Sequence, residues 1–262
     1  MLGTCRLCQA TNVKLRDSHY VPKAVYRQLR DPGAAKPDPW TITSKASFQT
    51  SKQMTAHLLC DGCEGALSAN GEDWVLRRFQ RLDGTFELAS ILSAQLPVAA
   101  SNDNPTKVYT AGTVPDLDAA AMAYFAASVF WRGSLHPWND DGSIPVALGR
   151  YGEEFRRYLR GEQAFPTHAV LILSVREGGA VSMMTVPPFR NPTAGVHTYN
   201  FLMPGLAFVL AVGQGISPLM KQYCFVRGLG HPIAATPILE SHLEELARGM
   251  HLRNAARRNV RR

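Results

Sequence analysis

No stretch of this chain is apolar for long enough to cross a bilayer, which takes roughly 18–20 residues as a helix. The longest such run, Gly205 to Val212, is the length of a strand. The opening residues, Met1-Leu-Gly-Thr-Cys5, lack the basic, apolar and small-residue regions of a secretory signal, so a cytoplasmic location is the expectation. A phosphate-binding glycine loop, a G-x-S-x-G elbow and an H-E-x-x-H helix are missing from residues 106–262. No internal repeat or low-complexity tract is present. Acidic residues are in deficit: 21 Asp and Glu against 28 Lys and Arg leave a net charge of +7. That balance suits a polyanionic partner such as DNA or RNA. A hydrophobic fraction of 45% nonetheless excludes global disorder.

Part of the basic excess is local. Arg248, Arg253, Arg257, Arg258, Arg261 and Arg262 follow Glu245 with no further acid. Such an end either neutralises phosphates or is a solvated helix terminus.

Cysteine is scarce, with five in 262 residues, but four of them stand in two C-x2-C pairs, Cys5/Cys8 and Cys60/Cys63. Thiolates at that spacing grip one ion from a single tight turn, and two such turns close a tetrahedron around Zn²⁺. In a reducing compartment paired cysteines hold metal more often than they form disulfides. A closed four-thiolate site has no open position, so the expected zinc is structural and the chemistry must lie elsewhere. His19, between the two pairs, is the first candidate. Cys224, between Tyr223 and Phe225, reads as a buried apolar filler.

The hydrophobic pattern predicts a strand through Val13, Leu15 and Asp17, facing one way. Pro22 should start a short helix over Lys23–Leu29. Turn residues from Asp31 to Pro39 form a loop, and a weak strand over 40–48 follows. His57-Leu-Leu59 returns the chain to the second cysteine pair, where a helix carries Glu64, Leu67, Glu72 and Trp74 unless Gly71 interrupts it. Residues 96–105 read as a linker, which divides the chain into units 1–95 and 106–262. In the second unit Asp116 is the expected N-cap of an apolar helix reaching Trp131-Arg132, and a further helix covers Glu153–Leu159. Strand-like runs at 169–175, 180–186, 197–203 and 206–212, with turn signals at Gly178-Gly179 and Pro204-Gly205, predict an antiparallel sheet. A last amphipathic helix should begin at Thr236-Pro237. The fold class expected is α+β. Trp131-Arg132 and His136-Pro-Trp138 read as packing and aromatic anchoring.

A cysteine turn, a strand ending in histidine, a returning strand and a helix opening at a second cysteine turn is a recognisable order. It resembles the zinc-stapled HNH endonucleases, the ββα-metal fold. The likeness rests on Cys5, Cys8, Ser18-His19-Tyr20-Val21-Pro22-Lys23 and Leu58-Leu59-Cys60-Asp61-Gly62-Cys63-Glu64, in the first third of the chain. It implies an HNH-like unit over 1–95 that hydrolyses phosphodiesters, with His19 as general base on water. It places Glu64 where the family carries a helix ligand for a catalytic Mg²⁺ or Mn²⁺. Ser18 stands where many relatives have Asp, and Thr55 and His57 lie near the position of the family's middle asparagine. His57 is either an accessory ligand or packs beside the zinc. Glu72 either shares the face of Glu64 or points to solvent. Lys23, Arg27 and Arg30 line one helical face and either contact phosphates or form a solvated basic surface. Two other readings stay open: a catalytically silent zinc module that binds nucleic acid or protein, and a scaffold whose C-terminal unit recognises a partner or forms an oligomer.

Overall fold

A computed structural model of the chain describes residues 1–30, 38–42, 47–79, 81, 83, 85–101, 104–138, 146–177, 186–193, 196–228 and 230–237. The turn at Gly178-Gly179, the expected strand at 180–185, the C-terminal helix beyond Pro237 and the arginine-rich end lie outside the described residues.

The N-terminal third is a hairpin followed without a loop by a helix. Strand β1 (Leu2–Gly3) pairs with β2 (Val13–His19). Helix α1 (Lys23–Gln28) is entered through Pro22, whose φ of −50° suits the turn into a helix. Strands β3 (Trp40–Ile42) and β4 (Ser47–Gln49) form a separate two-stranded ribbon. Strand β5 (Thr55–Cys60) pairs antiparallel with β2, and α2 (Asp61–Leu67) begins at the next residue. The pairs Leu15–Cys60 and Asp17–His57 leave Arg16 opposite both Leu58 and Leu59, a bulge on β5. Both leucines are therefore buried, and on β2 Leu15 and Ser18 face inward while Asp17 is exposed. The expected face of Val13, Leu15 and Asp17 is broken by this slip in register.

After α2 the helix does not stop at Gly71 but widens into a π turn, Ser68–Glu72, and resumes as α3 (Asp73–Val75). Gly71 is required there. A β-carbon on it would lie 2.9 Å from the Phe125 amide nitrogen and 3.1 Å from the Ala121 carbonyl oxygen. Gly→Ala in an open helix gains about 1 kcal/mol. Gly71→Ala should instead lose about 1–3 kcal/mol to overpacking, because the obstructing atoms are backbone. Urea unfolding would show it as a lowered midpoint; a raised midpoint would mean the two helices can separate freely.

The rest of the chain adds α4 (Glu87–Ser93), β6 (Ala99–Ser101), β7 (Asn104–Thr110), α5 (Ala119–Gly133), α6 (Tyr151–Leu159), β8 (Ala169–Glu177), β9 (Val186–Thr193), β10 (Val196–Met203), β11 (Leu206–Val212), α7 (Pro218–Gln222) and β12 (Pro232–Pro237). Among the described residues seven strands form one sheet in the order β6-β7-β12-β8-β11-β10-β9. The expected antiparallel sheet holds for most neighbours, but β12 runs parallel to β8. Residues 96–105, expected as a linker, supply β6 and the start of β7. Thr236 and Pro237 end a strand rather than begin a helix. The N-cap of α5 is Asp118, whose carboxylate accepts from the Ala121 amide at 2.8 Å; Asp116 sits before it at φ 54°.

Helix α5 is buried nearly all round from Ala121 to Gly133. One side meets the π turn through Gly71; the other lays Phe125 and Phe130 against Phe201 and Phe208 of the sheet at ring distances of 5.9–6.4 Å. A single buried cluster therefore runs from Cys5 and Leu7 through α5 to Leu171, Phe208 and Ile233. The second face of the sheet packs Val170, Ala211, Ile216 and Cys224 together, so Cys224 is the apolar filler its neighbours suggest. No helix among the described residues is long and apolar enough to cross a membrane.

Candidate metal centre

Two turns separated by 52 residues bring four sulfur atoms within 4.8 Å of one another, from Cys5, Cys8, Cys60 and Cys63. Cys5 and Cys63 are buried; Cys8 and Cys60 are half-buried. All four are free thiols, and Cys8 Sγ lies 3.8 Å from Cys60 Sγ. A disulfide would need about 2.05 Å. Sulfurs on a tetrahedron around a metal at about 2.3 Å lie about 3.8 Å apart, so the Cys8–Cys60 spacing is that of two metal ligands. The cluster can hold a metal ion.

The local backbone explains why the sulfurs converge. Gln9 and Asn12 take left-handed φ values of 63° and 55°, and the amides of Cys5 and Gln9 close the first turn on Ala10 and Cys5 carbonyls. The Arg6 amide donates to Leu58 O at 2.9 Å, and the Cys60 amide to Cys5 Sγ at 3.3 Å, tying the two turns together. Burial opposes ionisation of Cys5, but amide hydrogen bonds from Cys60, Cys8 and Leu7 outweigh it and draw that thiol down to about 7. Cys63 is pushed up by burial and by the neighbouring sulfurs of Cys60, Cys8 and Cys5. Four crowded thiolates repel one another, and a cation at their centre removes that repulsion. Arg156 of α6 steadies the first turn from outside, donating to Leu7 O at 2.8 Å while paired with Glu153 at 2.8 Å.

His19 closes β2, cross-strand from Thr55. Its side chain is half-buried and lies 6.5 Å, ring to ring, from Tyr26. Burial pushes the Tyr26 phenol up to about 12, so it stays protonated beside the histidine. His57 lies outside the metal cluster: it is exposed, opposite Asp17, with Nδ1 3.3 Å from Arg16 O. Thr55 is thus the residue facing His19 across the hairpin. Glu64 sits in the first turn of α2, half-buried. Its Oε1 and the Ser18 Oγ are both buried without a hydrogen-bond partner among the described residues. Orphaned buried oxygens call for a water or an ion. No second group of three or more His, Cys, Asp or Glu ligands forms among the described residues.

Glu72 does not face solvent. Its carboxylate accepts from Arg132 Nη2 at 2.5 Å, and Arg132 Nη1 donates to the His19 carbonyl at 2.9 Å. Arg132 is 1% exposed. The sequence marked Trp131-Arg132 only as packing, and its one signal was a charged residue inside an otherwise apolar helix. Trp138 anchors as expected, stacked on Tyr20 at 4.6 Å and donating to Arg132 O at 3.0 Å. Of the basic residues on α1, Lys23 and Arg27 are exposed, while Arg30 lies past the helix end and pairs with Asp38 at 3.1 Å.

No protein-family model matches this chain, and neither a curated protein nor a solved structure matches it significantly.

Proposed function

We propose that this protein is an HNH-like, metal-dependent endonuclease hydrolysing nucleic-acid phosphodiesters, with Zn²⁺ in the four-cysteine cluster as a structural staple. The observation that supports this best is the chain order β2–β5–α2 closed by four sulfurs, with His19 at the strand end and the orphaned oxygens of Ser18 and Glu64 on the packed strand and helix. The soft, closed donor set fits zinc. A carboxylate oxygen with nothing to bind, such as Glu64 Oε1, is the donor type that suits a hard cation, Mg²⁺ or Mn²⁺. Such an ion, when bound, offsets charge growing on the leaving oxygen.

His19 does the proton work in this reading. A neutral imidazole nitrogen takes a proton from water as the water oxygen bonds to phosphorus and the phosphorus–oxygen bond to the departing sugar breaks. Lys23 and Arg27 would meet backbone phosphates. Replacing both by alanine should lower nucleic-acid affinity uniformly across sequences and flatten the slope of log K against log salt by about 2. An unchanged slope would remove α1 from the interface.

Incubating supercoiled plasmid with the protein and Mg²⁺, Mn²⁺ or neither tests the activity. Metal-dependent nicking supports hydrolysis. Retarded but intact plasmid favours the second reading, a catalytically silent zinc-binding module for nucleic acid or protein. Ser18 in place of a carboxylate speaks for that alternative, because it removes one negative ligand.

A further inference from the structure

Arg132 belongs to α5, 113 residues from His19 in sequence, yet it is the side chain that holds the histidine's backbone. We infer that Arg132 is a positioning residue for His19, and that Glu72 is the group that aims it. The inference rests on His19 being the proton acceptor of the proposed hydrolysis.

The geometry around residue 19 is over-determined. The His19 carbonyl accepts from Arg132 Nη1 at 2.9 Å, and the next amide, Tyr20 N–H, donates to Met54 O at 2.9 Å. One peptide plane is thus held by its oxygen and by its nitrogen. Beyond it the Tyr20 ring is flanked by Trp138, at 4.6 Å and 12°, and by Gly133, where a β-carbon would come within 2.7 Å of the phenol oxygen. The peptide that follows the imidazole-bearing residue is held from both sides, while the imidazole itself is half-exposed.

Arginine is suited to this and lysine is not. The planar fork sends two donors from one rigid group to acceptors in different elements, whereas an ammonium is a single point on a flexible stem. The Arg132 side chain is 2% exposed and that of Glu72 15%. Removing two charges from water is expensive, and a hydrocarbon pair of the same volume would often serve stability as well. The site keeps the ion pair, with Arg132 Nε left without a partner. Direction of a side chain is the gain that hydrocarbon would not supply. The π turn contributes by re-aiming Glu72, at its last position, toward α5.

The test uses the full-length, metal-loaded chain in four forms: wild type, Arg132→Lys, Glu72→Ala and Glu72→Gln. Long-range proton–nitrogen spectra of the histidine rings, with His19 assigned by comparison with His19→Ala, report the imidazole directly. Plasmid cleavage with Mn²⁺ reports kcat and KM. Arg132→Lys and Glu72→Ala should broaden or shift the His19 ring signals and lower kcat by about 10- to 100-fold with KM within about threefold. Glu72→Gln keeps an oxygen acceptor for the guanidinium but not the compensating charge, so its unfolding midpoint should fall while its ring signals and kcat stay closer to wild type than those of Glu72→Ala. Wild-type ring signals in Arg132→Lys and Glu72→Ala would overturn the assignment, as would an equal loss in Glu72→Ala and Glu72→Gln. If Arg132→Lys fails to fold, the Glu72 pair decides alone. If the wild type does not cleave, the nuclease reading fails while the ring signals still decide whether Arg132 places His19.

Discussion

Cys63→Ser is expected to abolish tight metal binding and to unfold the N-terminal hairpin, the largest stability change any single substitution should produce here. The four sulfurs lie on two turns that share few other bonds: Arg6 N–H to Leu58 O and Cys60 N–H to Cys5 Sγ. Cys63 is buried, 5% exposed, beside Leu67 in the first turns of α2. A serine hydroxyl there offers a hard, protonated donor to a site built for thiolate, and it is left buried without a partner. Structural zinc sites contribute roughly 10–16 kcal/mol of folding free energy in small domains, comparable with the ~5–15 kcal/mol total stability of a typical protein. Dialysis against a chelator should act in the same direction. Circular dichroism and metal analysis would show loss of bound metal together with loss of α2 helicity. Retention of both signals in Cys63→Ser would mean the cluster is incidental to the fold.

His19→Ala should leave metal content and unfolding midpoint near wild type while lowering metal-dependent cleavage about 10²- to 10⁴-fold, the usual contribution of a positioned general base. The small structural cost follows from the burial pattern. The side chain is half-exposed, and its backbone restraints come from Arg132 and Met54 rather than from the ring. Cleavage by His19→Ala at the wild-type rate would take this histidine out of the mechanism. Cleavage restored by added imidazole would reinforce its role as proton acceptor.

What could be read from the chain divides along a physical line. Local signals were legible: C-x2-C spacing gave the sulfur cluster, helical periodicity gave α5 and α6, and apolar runs gave β8, β10 and β11. Strand β9 was not expected, because Pro187, Pro188 and Pro192 argue against a strand. It exists because it pairs only with β10 among the described strands, where missing amides cost least. The parallel partnership of β12 with β8 joins segments about 60 residues apart, and no periodicity within either one announces it. The same holds for the site. His19 and the cysteines carry their own spacing, but Arg132, Glu72 and the π turn acquire meaning only when α5 packs on Gly71.

The aromatic floor beneath α5, Phe125 and Phe130 on Phe201 and Phe208, bears on the histidine at one remove. A short hairpin gathered around four cysteines has little mass of its own with which to damp thermal motion, and interiors packed at crystal-like density yield little under strain. By fastening residue 19 to a helix embedded in the buried cluster that the hairpin shares with the sheet, the chain couples the histidine's backbone to the rigidity of that interior.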